Sequence, residues 1–144
     1  MSEIYNSDYY SHYSGDSYAN AEVWEPFFRA VADRIVADFN PKVVLDAGCA
    51  WGYLVAALRD RGVEAYGLDV SAYAIEHVRD DIRPYCHAGS LTEAFPAALP
   101  DKFDLITSIE VLEHIDEELC MTAIEQICSH TDQILFSSTS EDIQ

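Results

Sequence analysis

Residues 43–53 read VVLDAGCAWGY, and residues 63–70 read VEAYGLDV. The first segment opens with an apolar, β-branched run that ends in an acid, which is the pattern of a buried strand. A turn with two glycines follows, and apolar residues then recur at helical spacing across residues 54–58. The second segment is another apolar run that ends in an acid. The chain therefore contains a strand–helix–strand unit whose glycine turn lies at the carboxyl end of the first strand, where open α/β sheets bind ligands.

The spacing of the glycines distinguishes two classes of cofactor. A dinucleotide-binding turn has the pattern G-x-G-x-x-G, which lets the backbone approach a pyrophosphate. Here Gly48 and Gly52 flank the bulky Trp51, and the Asp46 carboxylate would repel a pyrophosphate. Asp69, at the end of the second strand, is placed to accept hydrogen bonds from a ribose diol. The pattern favours a ligand that combines a ribose with a positive charge over a strand–helix–strand unit that binds nothing.

Residues 46–52 (DAGCAWG) resemble the D-x-G-x-G-x-G loop of the class I S-adenosylmethionine-dependent methyltransferases. Asp69 matches the acid with which that family binds the ribose of its cofactor. The chain departs from the family pattern at Ala50, which replaces the middle glycine and narrows the approach of the backbone to the cofactor. The resemblance implies that S-adenosylmethionine is the cofactor and that the fold is a three-layer, Rossmann-like α/β fold.

The turn after the third predicted strand supplies a further part of the implied cofactor site. In the resembled family this turn meets the adenine, usually through an aspartate, whereas here Ser90 occupies that place. The residues predicted to bind the cofactor are Tyr18, Asp46, Ala47, Gly48, Cys49, Ala50, Trp51, Gly52, Tyr53, Asp69, Val70, Ser71, Gly89, Ser90, Leu91, Ile109 and Glu110.

A second group of polar residues follows the fourth predicted strand: Glu110, Glu113 and His114. On a helical turn, their spacing of i, i+3 and i+4 would project all three from one face. The run resembles the post-strand motif of small-molecule O-methyltransferases, including those of ubiquinone biosynthesis, in which His114 would be a general base or polar orienter. It also resembles the metal-binding motif of small-RNA 2′-O-methyltransferases, although no fourth ligand is evident. A third interpretation is a solvated helix start with a capping role.

The alternation of strands and helices predicts a doubly wound, mostly parallel sheet of five strands in the order 3-2-1-4-5. Residues 1–21, rich in tyrosine, are expected to form either an arm over the ligand cleft or a packed or partly disordered leader. Residues 22–144 are expected to form the cofactor-binding domain. The full family fold adds strands 6 and 7, so we expect a C-terminally truncated domain. An exposed edge at strand five would favour a homodimer. Helices are predicted over residues 24–39, 72–79 and 116–129.

The composition restricts the partners of the chain. Its 144 residues include 8 basic and 26 acidic side chains, for a formal net charge of −18. Such a surface repels phosphate backbones and anionic bilayers, so neither nucleic acid nor a membrane is an expected partner. The four cysteines show no C-x-x-C spacing. With no apolar signal segment or spanning segment, a cytoplasmic location is expected.

The family resemblance, together with the acidic charge, implies a methyltransferase that uses S-adenosylmethionine and acts on an oxygen or nitrogen of a small molecule, such as a sugar or another secondary metabolite. His114 and Glu113 are the predicted catalytic residues, and no metal is predicted. One alternative is a non-catalytic module that binds S-adenosylmethionine. Another is a metal-dependent enzyme similar to RNA 2′-O-methyltransferases. Because the sulfonium donor is already activated, the main task of the protein would be to align the reactants and exclude water.

Overall fold

The computed structural model describes residues 4–12 and 20–140, in which strands and helices alternate. The helices are α1 (Ser7–His12), α2 (Ala21–Phe39), α3 (Tyr53–Asp60), α4 (Ala72–Glu76) and α5 (Glu117–His130). The strands are β1 (Val43–Ala47), β2 (Glu64–Asp69), β3 (Cys86–Ala88), β4 (Leu105–Ile109) and β5 (Ile134–Ser137). Two 3-10 helices lie at Asp80–Tyr85 and Leu112–His114.

The five strands form one parallel sheet in the order β3-β2-β1-β4-β5, which confirms the predicted topology. In this register Asp46 of β1 lies between Gly67 of β2 and Thr107 of β4. Because all the strands run in the same direction, their carboxyl ends meet at one edge of the sheet. That edge carries the glycine turn and the segments that follow β2, β3 and β4.

Buried side chains form one core on each face of the sheet. On one face, Ile35 of α2 and Leu54 of α3 pack with Val44 of β1. On the other face, Ile127 of α5 packs with Ile106 of β4. Burying an aliphatic side chain of this size contributes about 1.5–3 kcal/mol. The two cores therefore hold the central strands, and with them the strand ends, in fixed positions.

The packing of the loop after β1 depends on a glycine within β2. A Cβ atom at Gly67 would lie 2.7 Å from Cys49 Sγ and 3.1 Å from Cys86 Sγ. Both cysteine side chains are buried, and they occupy the space that a side chain on β2 would otherwise take. Gly67 thus lets the loop after β1 pack directly onto the neighbouring strand.

The predicted helix over residues 72–79 is wrong at its carboxyl end. Helix α4 begins as expected, with the Ser71 side chain accepting a hydrogen bond from the Ala74 amide at 3.1 Å, but it ends at Glu76. The chain then turns, so that Arg79 pairs with Asp60 of α3 at 2.7 Å. A 3-10 helix follows and includes Pro84, whose missing N–H would interrupt an α-helix. Tertiary pairing and proline chemistry therefore shorten this helix.

Strand β5 lies at one edge of the sheet and exposes two large apolar side chains. Ile134 is 40% exposed and Phe136 is 54% exposed. Self-association through this edge stays a prediction. Within the described ranges, none of the helices combines the length and the apolar character that crossing a membrane requires.

Candidate functional site

The turn between β1 and α3 is tied to the end of β2 by backbone hydrogen bonds. The amides of Gly48 and Cys49 both donate to the Leu68 carbonyl, at 2.7 and 3.0 Å. The Ala50 amide donates to Asp69 Oδ2 at 2.8 Å. These bonds join the loop after one strand to the acid that ends the next. The loop and this acid therefore form a single preorganised unit.

Three residues of this loop adopt the left-handed conformation. Their φ angles are +87° at Gly48, +48° at Ala50 and +75° at Gly52. Glycine adopts this conformation without a steric penalty, whereas an L-residue such as alanine pays about 1–2 kcal/mol. A Cβ atom at Gly48 would also collide with the side chain of Val111. The glycines at the ends of the loop are thus required by the backbone, and the alanine at its centre carries strain.

Asp46 is a buried carboxyl beside this loop. It is 6% exposed, and its Oδ1 accepts a hydrogen bond from the Thr107 hydroxyl at 2.7 Å. Burial raises the pKa of Asp46 to about 7; the Thr107 hydrogen bond lowers this pKa, and the negative charge of Asp69 raises it. Near neutral pH the group therefore lies close to its midpoint. A positively charged ligand nearby would favour its ionised form.

Asp69 presents its carboxylate at the carboxyl end of β2. Its Oδ1 accepts the Ser71 amide at 2.8 Å, and its Oδ2 accepts the Ala50 amide at 2.8 Å. Burial raises the pKa of Asp69, and the hydrogen bonds from Ser71 and Ala50 act in the opposite direction. Each carboxylate oxygen keeps a further lone pair with which to accept a hydroxyl proton. The arrangement fits a ligand with two neighbouring hydroxyls.

The turn after β3 lies next to Asp69. The Gly89 amide donates to the Asp69 carbonyl at 2.9 Å. The Ser90 Oγ accepts the Thr92 amide at 3.1 Å and lies 2.8 Å from Thr92 Oγ1. The Ser90 side chain therefore stabilises its own turn, as serine commonly does.

Several residues predicted to bind the cofactor point their side chains into the core. Ala47, Cys49 and Leu91 are 0%, 3% and 7% exposed, respectively. Only their backbone atoms are available to a ligand. Val70 and Ile109 are half-buried at the ends of β2 and β4.

The two aromatic residues of the loop pack against the neighbouring helices. The Trp51 ring stacks on the ring of His77, just after α4, at a centroid distance of 4.9 Å. The Tyr53 ring stacks on Phe28 of α2 at 6.1 Å. Both residues remain half-exposed. Tyr18, which was also predicted to bind the cofactor, lies outside the described residues.

The segment after β4 does not form the regular helical turn that would align its three polar residues. Glu110 adopts a left-handed φ of +53°, and only Leu112–His114 forms a 3-10 turn. Glu113 Oε2 accepts a hydrogen bond from Ser138 Oγ at 3.1 Å. A hydrogen bond with Glu113 raises the pKa of Glu110. Across residues 4–12 and 20–140, no three His, Cys, Asp or Glu side chains are grouped so as to hold a metal ion.

The N-terminal segment brings two tyrosines to this segment, Tyr9 on α1 and Tyr5 just before it. The Tyr5 and Tyr9 rings meet the His114 ring nearly edge-to-face, at centroid distances of 6.3 and 6.4 Å. The Tyr5 carbonyl accepts a hydrogen bond from Ser71 Oγ at 2.6 Å. The described part of the N-terminal segment thus contacts both the end of β2 and the segment after β4. The boundary of the predicted arm at residue 21 stays a prediction.

The sequence predicted a tyrosine-rich arm, but it did not predict the contacts that four residues make in this geometry. Thr107 bonds Asp46, Val111 covers Gly48, and Tyr5 and Tyr9 contact His114. A signal existed for Thr107, because a hydroxyl stands within the apolar strand FDLITSI beside a strand with a buried acid. The other three depend on contacts between distant segments, for which the sequence offers no spacing rule.

Comparison with known proteins gives a consistent result. The family model described as "Methyltransferase domain" matches residues 19–142. A ubiquinone biosynthesis O-methyltransferase from Azoarcus sp. strain BH72 is 30% identical over 108 residues, covering 72% of this chain and 46% of the relative. One from Methylococcus capsulatus is 29% identical over 105 residues, or 69% and 44% of the two chains. The chain thus spans about half the length of these relatives.

Solved structures share the fold. Magnesium protoporphyrin IX methyltransferase from Synechocystis PCC 6803, solved with bound S-adenosylmethionine, matches with a TM-score of 0.68 at 24% identity, over 91% of this chain and 70% of that one. An amino pentose methyltransferase from Micromonospora echinaspora, also solved with this cofactor, matches with a TM-score of 0.62 at 23% identity, over 75% and 46% of the two chains.

Proposed function

Because this chain belongs to the methyltransferase-domain family, among the class I S-adenosylmethionine-dependent enzymes, we propose that it transfers a methyl group from S-adenosylmethionine to a small-molecule acceptor. The carboxylate pair formed by Asp46 and Asp69 carries this proposal. These two acids flank a glycine loop at the carboxyl ends of adjacent strands. A cofactor with a ribose and a sulfonium matches both.

The residues present fit this cofactor in two respects. Each oxygen of the Asp69 carboxylate accepts one backbone amide and so uses one lone pair. The other lone pair of each oxygen can accept a hydroxyl of a ribose diol. Asp46 is a buried acid with a pKa of about 7, so it gains from a nearby positive charge. A pyrophosphate at the same position would instead be repelled by both acids.

The distribution of positive charge supports a neutral or cationic acceptor. The lysines and arginines interact with groups away from the two site acids. Examples are Arg79 with Asp60, Arg61 with Asp33, and Lys102 with the Ser129 carbonyl. These cationic side chains are therefore already engaged and would not pair with a phosphate group of an acceptor. The ubiquinone-biosynthesis and amino pentose relatives are both named for small-molecule chemistry, which supports the same class of acceptor.

The chain's own residues supply alignment and a proton acceptor. When bound, S-adenosylmethionine supplies an activated methyl group, whose C–S bond breaks as its bond to the acceptor forms. His114 is the proposed base for the proton that the acceptor oxygen or nitrogen loses, because histidine is the side chain that most often serves as a general base. Glu113, on the same 3-10 turn, would stabilise the imidazolium. Helix α1 and the 3-10 turn would limit the access of water.

Isothermal titration with S-adenosylmethionine, and separately with NAD, tests the cofactor assignment. We expect selective binding of the former. Asp69→Ala should weaken this binding by about 1–3 kcal/mol, because a charged acceptor of hydrogen bonds is lost. Binding of NAD in preference to S-adenosylmethionine would contradict the proposal.

Asp104→Ala is a matched control for that substitution. Asp104 Oδ2 also accepts two backbone amides, from Lys42 at 2.8 Å and Val43 at 2.9 Å, but at the amino end of β1. This variant loses the same type of structural contact at the opposite edge of the sheet. It should keep the wild-type affinity for S-adenosylmethionine. Equal losses in both variants would show that Asp69 acts through the fold and not through the ligand.

A further inference from the structure

Tyr5, just before helix α1, is joined to the cofactor half of the site through a buried serine. Ser71 is fully buried, and its Oγ donates to the Tyr5 carbonyl at 2.6 Å. The amide of the same serine donates to Asp69 Oδ1 at 2.8 Å. One residue thus contacts both the proposed ribose acid and the N-terminal segment, 66 positions away in sequence. The position of Tyr5 is therefore tied to the end of β2.

The aromatic side chains of this segment reach the other half of the site. The Tyr5 and Tyr9 rings meet at 4.8 Å with an interplanar angle of 81°. Their angles to the His114 ring are 72° and 90°. Edge-to-face contacts of this kind are favourable because the positive edge of one ring meets the negative face of another. His114 is exposed on a short 3-10 turn, so these rings restrict an imidazole that its own element holds weakly.

The electrostatic environment of the phenols agrees with this position. Burial raises the pKa of Tyr5, and the charges of Asp69 and Asp116 raise it further. Burial also raises the pKa of Tyr9, as do Asp69 and Glu113. The pKa of each tyrosine is thus raised by the acid at the end of β2 and by an acid that follows β4 in sequence. The two side chains lie between the halves of the site.

We propose that Tyr5 and Tyr9 are positioning residues that hold His114 toward the cofactor site, and that the Ser71–Tyr5 hydrogen bond couples this arrangement to the ribose acid Asp69. The inference rests on the proposed function for the identity of the cofactor. It goes beyond that function by assigning a role to the N-terminal helix. In this arrangement the contacts of Tyr5 and Tyr9 hold the N-terminal segment beside Ser71 and His114, so their loss should speed the dissociation of the cofactor.

The test compares ring removal with hydroxyl removal. Tyr5→Leu/Tyr9→Leu removes both rings, whereas Tyr5→Phe/Tyr9→Phe keeps them. The two readouts are the NMR shift of the His114 Cε1–H group and the dissociation rate of S-adenosylmethionine. In the leucine variant the His114 signal should lose its ring-current shift, and the cofactor should dissociate about tenfold faster. The phenylalanine variant should keep both wild-type values.

A control variant and a direct observation complete the test. Phe39→Leu removes an aromatic ring that is 42% exposed, at the end of α2 that precedes the amino end of β1. It should leave both readouts unchanged. In the wild-type chain, nuclear Overhauser contacts should join the ring protons of Tyr5 and Tyr9 to those of His114. This measurement decides the contact even if the leucine variant does not fold.

The outcomes separate this inference from the function on which it rests. An unmoved His114 signal in the leucine variant, or a phenylalanine variant that behaves like the leucine variant, would overturn the positioning role. A moved signal with an unchanged dissociation rate would overturn the coupling to the cofactor site. A wild-type chain that does not bind S-adenosylmethionine would contradict the proposed function, while the His114 signal would still report the contact with α1.

Discussion

The two halves of the site are held in different ways. The first half, the loop at residues 46–52 with Asp69, is bound by backbone hydrogen bonds to β2 and is largely buried. The second half, the segment at residues 110–114, is a short 3-10 turn whose histidine is exposed and contacts α1. The first half is therefore preorganised by its own strand–helix–strand unit, whereas the second depends on a distant segment.

Substitutions in the two halves should affect different properties of the protein. Substitutions in the loop half disturb close-packed side chains, so they should alter the stability of the whole domain. Substitutions in the second half, at residues 110–114, affect side chains that contact solvent and one short helix. They should therefore alter local geometry with little effect on global stability. Stability measurements on loop variants can therefore test how far the first half is preorganised.

The largest expected effect concerns the buried acid of the loop half. Asp46 has a folded pKa of about 7, above its unfolded value of 3.8, so the native state binds more protons between these values and stability falls as pH rises through them. Asp46→Asn removes the ionisable group and with it this fall in stability. The stability of the variant relative to wild type should therefore increase by about 4 kcal/mol between pH 4 and pH 9, measured by urea unfolding.

Asp104→Asn serves as the control of opposite sign. Hydrogen bonds from the amides of Val43 and Lys42 lower the pKa of Asp104. Its contribution to stability is present above its unfolded pKa and is lost as pH falls through the folded pKa. The variant should therefore lose stability relative to wild type at neutral pH and recover toward it in acid. A pH-independent difference for Asp46→Asn would contradict the assignment of a buried, ionisable Asp46.

The next largest effect concerns two glycines with a left-handed φ, of which only Gly48 is also closely packed. Gly48→Ala should destabilise the fold by about 3 kcal/mol, because it combines a left-handed alanine with a collision against Val111. Gly62→Ala, at a φ of +80° with nothing within 4 Å of its Cβ position, should cost only about 1 kcal/mol. Val111→Ala should recover part of the loss in the Gly48→Ala background. Equal costs at the two glycines would show that Val111 does not pack on the loop.

The smallest effect tests the alanine at the centre of the loop. Ala50→Gly relieves a left-handed φ of +48° but adds conformational entropy to the unfolded chain. The net gain in stability should be about 0.5–1 kcal/mol, measured by thermal unfolding. Asn40→Gly, at a φ of +43° on a residue type that tolerates this conformation, should gain less. A loss of stability in Ala50→Gly would show that the alanine side chain makes a favourable contact.

The loop half was predicted from the sequence because its geometry is local. One strand–helix–strand unit contains the acid at the end of β1, the two glycines and the acid at the end of β2. General rules give the right-handed crossover of such a unit and place its ligand site at the carboxyl ends of the strands. The prediction was less accurate where a proline and an ion pair decide a boundary, as at the end of α4. The sequence left open whether Glu110 lies on a helical turn, because periodicity does not report a left-handed residue.

By itself, the sequence determined the parallel sheet, its strand order and the acids at two strand ends, because hydrophobic periodicity and turn chemistry act over a few neighbouring residues. Only the tertiary structure decided which groups meet those acids. Thr107 reaches Asp46 from 61 positions away, and Tyr5 reaches Ser71 from 66 positions away. The pKa of Asp46 likewise depends on burial, which the packing of the elements around it decides. Such contacts arise from how the elements pack, which no local pattern encodes.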